Sequence, residues 1–484
     1  MSSDENQPLL IGAKNITIFY EPSVKKPPAS PEVELCQPQV YKRRWWTLFV
    51  FSFCVFNQGL SWLIWKPLSD SLLVAYNWDL AQIGLAGTFT AIVFVVFSLP
   101  VMYVVESRGI RVGVLIASSS LVAAGIVWNC ALYTEKLWLF LSGAAIIGIA
   151  PTVTAVMASL FSVTWFPVSQ RTTATSISVM SLHLAFIIGY IAGPQISGSA
   201  VTVMDMMNKQ NLTEEYMVEL KSGLRNVGYF VTGITGFGLL LTIIYFPAAP
   251  PTPPSVCQTV KREDFWSGLK KLGRNSQYII QITAFTLTNA TVYAWLPLIS
   301  VSFRVLGIDQ LAASWLSMCA TIVGTIALLL ISISADHPYF KRKTKLILKV
   351  CAAASIVLLL LLACIQKKWI HIPDDGLLPV LYILVIGVNI SALSIFPICS
   401  ELACEYAYPV YEGLACTVFM MANGLVAGIF YALLLIPALA EDTTWMTWNC
   451  LLGSCFTLPL LFLLKDDYRR LDLDEHRNKQ RVAS

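Results

Sequence analysis

The sequence predicts an all-α membrane protein of about twelve transmembrane helices in two six-helix halves. Three observations predict it: the composition, the recurrence of apolar stretches long enough to cross a bilayer, and polar features that return at half the chain length. Of 484 residues, 56% are hydrophobic and 13% charged, with a mean hydropathy of +0.66, whereas soluble domains carry about a quarter charged residues. A soluble fold of this composition would expose apolar patches and aggregate. One helix needs about 20 apolar residues to cross the hydrocarbon core, and such stretches recur from Trp45 to Leu464. The formal net charge of +4 is small, and no nucleic-acid partner is expected.

Taken in order, residues 1–40 are polar and proline-bearing, carry no apolar run of signal-peptide length, and read as a disordered tail. The first half, 41–247, holds spans at roughly 45–66, 82–105, 110–132, 137–160, 172–196 and 226–247. A linker, 248–276, contains Pro250, Pro251, Pro253 and Pro254 and then Lys261, Arg262, Lys270, Lys271 and Arg274, too much proline and charge to cross a membrane. The second half, 277–464, holds spans at roughly 278–301, 312–334, 345–364, 378–400, 412–437 and 446–464, and a charged tail follows over 465–484.

Basic residues near span ends resist translocation. Arg43, Arg44, Arg108, Arg111, Arg171, the linker cluster, Lys341, Arg342, Lys343, Arg469 and Arg470 all fall on the side shared by both termini, which predicts cytosolic termini. On that topology Asn211, in Asn211-Leu212-Thr213, is the one sequon in a long non-cytosolic loop and the expected glycosylation site. The twelve cysteines show no paired framework, and most, such as Cys54, Cys319, Cys351 and Cys416, fall in apolar segments, so they read as small core residues.

The internal repeat is visible in the loops. Glu106-Ser107-Arg108-Gly109-Ile110-Arg111 follows span two, and Asp336-His337-Pro338 with Lys341-Arg342-Lys343 follows span eight. Phe166-Pro167 with Gln170-Arg171 follows span four, and Tyr408-Pro409 with Glu412-Gly413 follows span ten. Such a duplication is expected of two halves related by an axis along the membrane normal, with a solute site near the midplane between them. The acid-then-Arg-Gly loop resembles the signature of the major facilitator superfamily, with Glu106 where that family usually has Asp and Ser107 in place of a basic residue. The resemblance implies that Glu106, Arg108, Arg111, Arg171 and Asp336 latch the inner gate; the plainer reading makes them solvated loop charges.

A sharper resemblance rests on five stretches: Gln58-Gly59-Leu60-x-Trp62, Ala150-Pro151-Thr152-Val153, Gly193-Pro194, Tyr408-Pro409-Val410-x-Glu412-Gly413, and Trp448 with Gly453-Ser454-Cys455. Together they look like solute carrier family 49, with the branch of the feline leukaemia virus subgroup C receptors sharing the Tyr-Pro-x-x-Glu-Gly stretch and the span-four and span-twelve stretches favouring the lysosomal branch. That resemblance implies a proton-driven lysosomal transporter exporting pyridoxine or a similar small solute to the cytosol. Glu5-Asn6-Gln7-Pro8-Leu9-Leu10 agrees with it. The acid Glu5 and the pair Leu9 and Leu10 fit the dileucine signal that a clathrin adaptor reads.

Polar groups inside a membrane are costly enough to be functional suspects. Gln58, Trp62 and Trp65 are spaced to share a helix face, suited to a heteroaromatic ring or a cation; interfacial anchoring of the two tryptophans is the alternative. His183 is the histidine well inside a span, and its ordinary pKa near 6.5 suits proton coupling. A neutral histidine bonded to a carbonyl is the alternative, and the choline-carrying branch of the family has glutamine there. Asn289, Tyr293, Asn389 and Asn423 complete the candidate solute site, although helix-to-helix bonding accounts for the asparagines equally well. Glu401, Glu405 and Glu412 sit near the cytosolic surface and suit a gate, with Glu401 a second candidate for proton coupling.

No Walker loop, His-Glu-x-x-His, nucleophile elbow or Cys-x-x-Cys pair is present. The chain is therefore not expected to be an enzyme or to need a cofactor or metal. Its partners are a small solute, protons and lipid. Two other readings stay open: a choline, ethanolamine or haem facilitator, and a non-transporting lysosomal scaffold or receptor.

Overall fold

A computed structural model describes residues 41–167, 170–198, 213–251, 265–336, 344–408, 410 and 412–465. Glu5, Leu9, Leu10 and Asn211 lie outside the described residues. Twelve described helices are long and apolar enough to cross a membrane. Spans one to six are Arg44–Leu63, Leu80–Arg108, Ile110–Thr134, Leu137–Ala155, Arg171–Ser197 and Glu214–Ile244. Spans seven to twelve are Ser276–Leu306, Gln310–Asp336, Thr344–Gln366, Asp374–Ala407, Glu412–Ala432 and Trp445–Leu463. With an even number of spans the chain enters and leaves on one side, here called the terminal face; the other is the far face.

Local chemistry sets the ends. Span one was expected to reach residue 66 but stops at Leu63, because Pro67 has no N–H to give to the Leu63 carbonyl and disfavours helical geometry at Lys66 before it. A short helix, Ser69–Tyr76, follows on the far face and ends at Asn77 with a left-handed φ of 57°. Span two then starts from a capping box, in which the Gln82 side chain accepts from the Asp79 backbone N–H at 3.1 Å. Span six starts at Glu214 rather than near 226. Thr213 caps it, and Glu214 and Glu215 favour its positive end, so the helix projects beyond the apolar layer and carries Lys221 to Glu135 at 2.6 Å.

Span four is broken into helices Leu137–Ile147 and Ala150–Trp165, the second continuing beyond the apolar stretch that ends at Ala155. The break at Gly148 and Ile149 comes where Pro151 removes a donor from the ladder. Gly109, between spans two and three, holds φ 87° and ψ 167°, a conformation open in practice to glycine alone. This gives the Glu106-to-Arg111 loop a backbone reason for its glycine.

The two halves meet along span two with span eleven and span five with span eight. Small residues permit the approach: a Cβ on Gly87 would lie 2.6 Å from the Tyr431 ring, and one on Gly424 would lie 2.5 Å from Phe94. One buried cluster belongs to the first half, running from Leu48 to Phe246. A second belongs to the second half near the terminal face and includes Tyr278, Phe285, Leu402 and Phe419. A third mixes the halves, joining Leu63, Leu80, Phe186 and Tyr190 to Trp295, Leu298, Phe430 and Tyr431. These residues sit in the far-face portions of their spans, so the halves share one core there and keep separate cores toward the terminal face.

Candidate functional site

The end of span one brings the first set of functional side chains together. Trp62, on its last turn, meets Tyr293 of span seven at 5.3 Å between ring centroids and Phe186 of span five at 5.7 Å. These rings wall a narrow cavity between the halves, lined also by His183, Thr321 and Asn389. About 20 Å³ of it is open to the centre of a water-sized sphere, enough for a water and not for a solute ring. Four predicted residues, Trp62, His183, Tyr293 and Asn389, thus converge from spans one, five, seven and ten.

His183 is buried, and its Nδ1–H donates to the Val179 carbonyl one turn back at 2.9 Å. That bond assigns the tautomer and leaves Nε2 as the position for a second proton. Asn389 donates from Nδ2 to the Ala320 carbonyl at 2.7 Å, fastening span ten to span eight while its side chain lines the cavity.

The remaining predicted residues lie apart from this cluster. Gln58 is buried within the first half and accepts from the Thr154 hydroxyl at 3.2 Å. Asn289 donates to the Ala392 carbonyl at 3.2 Å, tying span seven to span ten. Asn423, on span eleven, keeps a buried Oδ1 without a partner. Trp65, past the end of the helix, turns into the first half and packs edge-on against Trp128 at 5.6 Å and Phe140 at 5.8 Å.

On the terminal face, Glu106, Arg108 and Arg111 are exposed around Gly109. Glu401 is exposed near the end of span ten, and Glu405 beside it is buried. Arg171 and Glu412 begin spans five and eleven and Asp336 ends span eight; their side chains lie outside the described ones.

A second, larger cavity opens next to the first and shares Trp62 with it. Its walls include Ser61, Trp65, Lys66, Thr90 and Tyr431, and about 50 Å³ is open to the centre of a water-sized sphere. Lys66 was not singled out by sequence reasoning, because a lysine at the end of an apolar stretch reads as an edge charge reaching for water. Instead its Nζ lies 2.9 Å from the Trp62 ring centroid and donates to the Tyr431 hydroxyl at 2.8 Å. The Tyr431 hydroxyl in turn donates to the Ala294 carbonyl at 3.3 Å.

Sequence reasoning also missed the polar links that close the far face. Arg304 of the second half pairs with buried Asp70 of the first at 2.5 Å. Next to it the Ser71 backbone N–H donates to Gln310 Oε1 at 3.1 Å, and Gln310 Nε2 donates to the Ser71 hydroxyl at 2.9 Å. No signal short of the fold pairs residues 234 and 239 positions apart.

Comparisons with known proteins agree with this architecture. The sequence pattern of the Major Facilitator Superfamily matches residues 47–432. A Xenopus tropicalis protein named "Solute carrier family 49 member 4 homolog" is 27% identical over 442 residues, covering 90% of this chain and 94% of the relative. A Danio rerio choline/ethanolamine transporter is 19% identical over 448 residues, covering 90% and 86%. Among solved structures, a bacterial homolog of the human lysosomal transporter Spinster, inward-facing and unoccupied, superposes with a TM-score of 0.63 at 13% identity, over 89% of this chain and 99% of that one.

Proposed function

Starting from a chain that belongs to the Major Facilitator Superfamily and has its curated relatives in solute carrier family 49, we propose that it is a lysosomal secondary transporter moving pyridoxine or a similar small solute to the cytosol by alternating access. The observation that carries the reading is the convergence of Trp62, His183, Tyr293 and Asn389 on one cavity between the halves. Once the halves part and the cavity widens, aromatic faces give a small ring a stacking surface, and a histidine among them gives a proton a place to bind.

His183 is the proton site in this reading. Its Nδ1–H is committed to the Val179 carbonyl, so protonation occurs at Nε2 and converts an acceptor in the cavity into a donor. A proton shifts the alternating-access equilibrium only if it binds one state better than the other. The two faces of the membrane then differ in how often the site is charged. The terminal face is cytosolic, Asn211 faces the lumen as a glycan acceptor, and Glu5, Leu9 and Leu10 address the protein to lysosomes through a clathrin adaptor. Glu106, Arg108, Arg111, Arg171, Asp336, Glu401, Glu405 and Glu412 serve the cytosolic gate.

A choline or ethanolamine substrate is the second reading, favoured by the name of the Danio rerio relative and by the Trp62–Tyr293 pair, since aromatic faces also hold cations. One experiment separates the two. Replacing Leu9 and Leu10 by Ala is expected to bring the protein to the cell surface, where labelled pyridoxine enters faster at external pH 5 than at pH 7 and labelled choline does not enter. Choline uptake without pyridoxine uptake would replace the first reading by the second. Entry of neither would point to a scaffold or receptor, and lysosomal residence after the double change would remove the sorting role.

A further inference from the structure

The larger cavity has a one-sided polar chemistry. Lys66 contributes an ammonium whose bonded partner is the Tyr431 hydroxyl, with the Trp62 ring face against it. The Trp65 indole Nε1 and the Ser61 hydroxyl, though on lining residues, are buried away from the cavity. Among the described residues no carboxylate lines the cavity and none contacts Lys66. The nearest acid along the chain, Asp70, is committed to Arg304.

A half-buried ammonium set among aromatic walls with no counter-charge is costly. Native proteins satisfy such groups, so each exception calls for an explanation. An occupant of the cavity with an anionic oxygen that accepts from Lys66 would supply the missing counter-charge. The walls specify the rest of that occupant. Trp62, Trp65, Trp128 and Phe140 offer apolar and aromatic surface suited to a small ring.

The same geometry excludes the opposite charge. A quaternary or primary ammonium substrate would seek the face of an aromatic ring, and the face of Trp62 already holds the Lys66 ammonium at 2.9 Å. A second cation there meets like charge in a site of low dielectric.

We infer that Lys66 is a specificity-determining residue that makes this cavity a binding site for a small ring bearing an anionic oxygen, a carboxylate or phosphate, and that bars cationic solutes. The inference rests on the reading that these inter-half cavities form the transport path. Within that reading it moves the favoured solute from pyridoxine itself to a ring of similar size that carries an anionic oxygen.

The test uses purified full-length protein and ligand pairs that differ in charge at nearly constant shape: nicotinate with nicotinamide, pyridoxate with pyridoxine, and choline as the cation. Thermal stabilisation of the wild type is expected at about tenfold lower concentration of each carboxylate than of its neutral counterpart, with no response to choline. Lys66→Gln is expected to erase the preference and to admit a choline response, while Lys66→Arg keeps the preference. Lys66→Met, near in shape and uncharged, carries the same expectation as Lys66→Gln should the amide variant not fold. A wild type indifferent to charge would overturn the inference, and so would a preference that survives Lys66→Gln or Lys66→Met. Uptake of labelled pyridoxine into proteoliposomes is read separately. Charge preference without pyridoxine uptake removes pyridoxine as the solute and leaves the anion site, whereas pyridoxine uptake without charge preference does the reverse.

Discussion

The two faces of this molecule are closed by different means. On the far face, the halves share a buried aromatic core and are stitched by a few short polar contacts, Arg304 to Asp70 and Gln310 to Ser71, both reaching residues with little exposure. Toward the terminal face each half keeps its own core, and charge is gathered in exposed loops around Gly109 and at the ends of spans. Losing one partner of a buried link matters because the other is left desolvated and uncompensated; exposed loop charges are screened and share their work. In the alternating-access reading proposed above, the far-face links must open and re-form, and single substitutions can probe them.

The largest effect is expected at the buried ion pair. Removing one partner of such a pair costs about 3–5 kcal/mol when the other is left fully buried. Arg304 keeps 29% of its side-chain exposure, and asparagine still accepts one hydrogen bond, so Asp70→Asn is expected to weaken far-face closure by about 2 kcal/mol, roughly thirtyfold in the equilibrium. Spin labels at exposed Lys136 and Lys368, which lie on that face in opposite halves, would report it as a population at longer distance. An unchanged distance distribution would mean that the shared aromatic core closes the face without help from the pair.

A smaller effect, in rate and not in closure, is expected at His183, the proposed proton site between the two faces. His183→Gln keeps a polar group in the cavity but removes the second proton. Solute exchange is expected to persist while initial rates lose their dependence on pH between about 5 and 7, the range in which an imidazole changes charge. A variant with the wild-type pH profile would shift the coupling role to the carboxylates of the terminal face, with Glu401 the first to examine.

The smallest effect is expected at an exposed link on the far face, which contrasts with the buried one beside it. Thr444 donates to Asp442 at 2.6 Å and Lys367 pairs with it at 2.9 Å, and the Thr444 hydroxyl first, then Lys367, hold the Asp442 carboxyl below the ordinary carboxylate range. A lowered folded-state pKa contributes stability that is present above the unfolded value and is lost as pH falls through the folded one. Solvent screens this pair, so Asp442→Asn is expected to cost under about 1 kcal/mol. Melting curves should show a small, constant deficit from neutral pH to pH 5 that begins to fade at about pH 4, the unfolded value, and vanishes only once pH has passed below the lowered folded one. A deficit as large as that of Asp70→Asn would erase the distinction drawn between buried and exposed links.

Most of the fold was legible because the bilayer leaves the chain few choices. Apolar length alone located all twelve spans, and two of the discrepancies have local causes: Pro67 shortens span one, and Thr213 with Glu214 and Glu215 lengthens span six. The candidate site was legible in part. Trp62, His183 and Tyr293 stand out as aromatic or ionisable groups within apolar runs, and they do meet. Gln58 and Asn289 stand out just as much and instead satisfy neighbours within one half. A buried amide has the same appearance in a sequence whether it holds a solute or a helix.

What the sequence by itself determined was the number of crossings, the halving of the chain and the superfamily, because these depend on hydropathy and on motifs within a few residues of one another. Which side chains face each other was decided by tertiary structure alone. Lys66 reads as an edge charge until the turn at Pro67 and the approach of span eleven place it between Trp62 and Tyr431. Asp70 and Arg304 read as unrelated loop charges until the halves close over them. Charge and burial set the energy of such groups, and neither the partner of a charge nor its distance from water is a property of the one-dimensional chain.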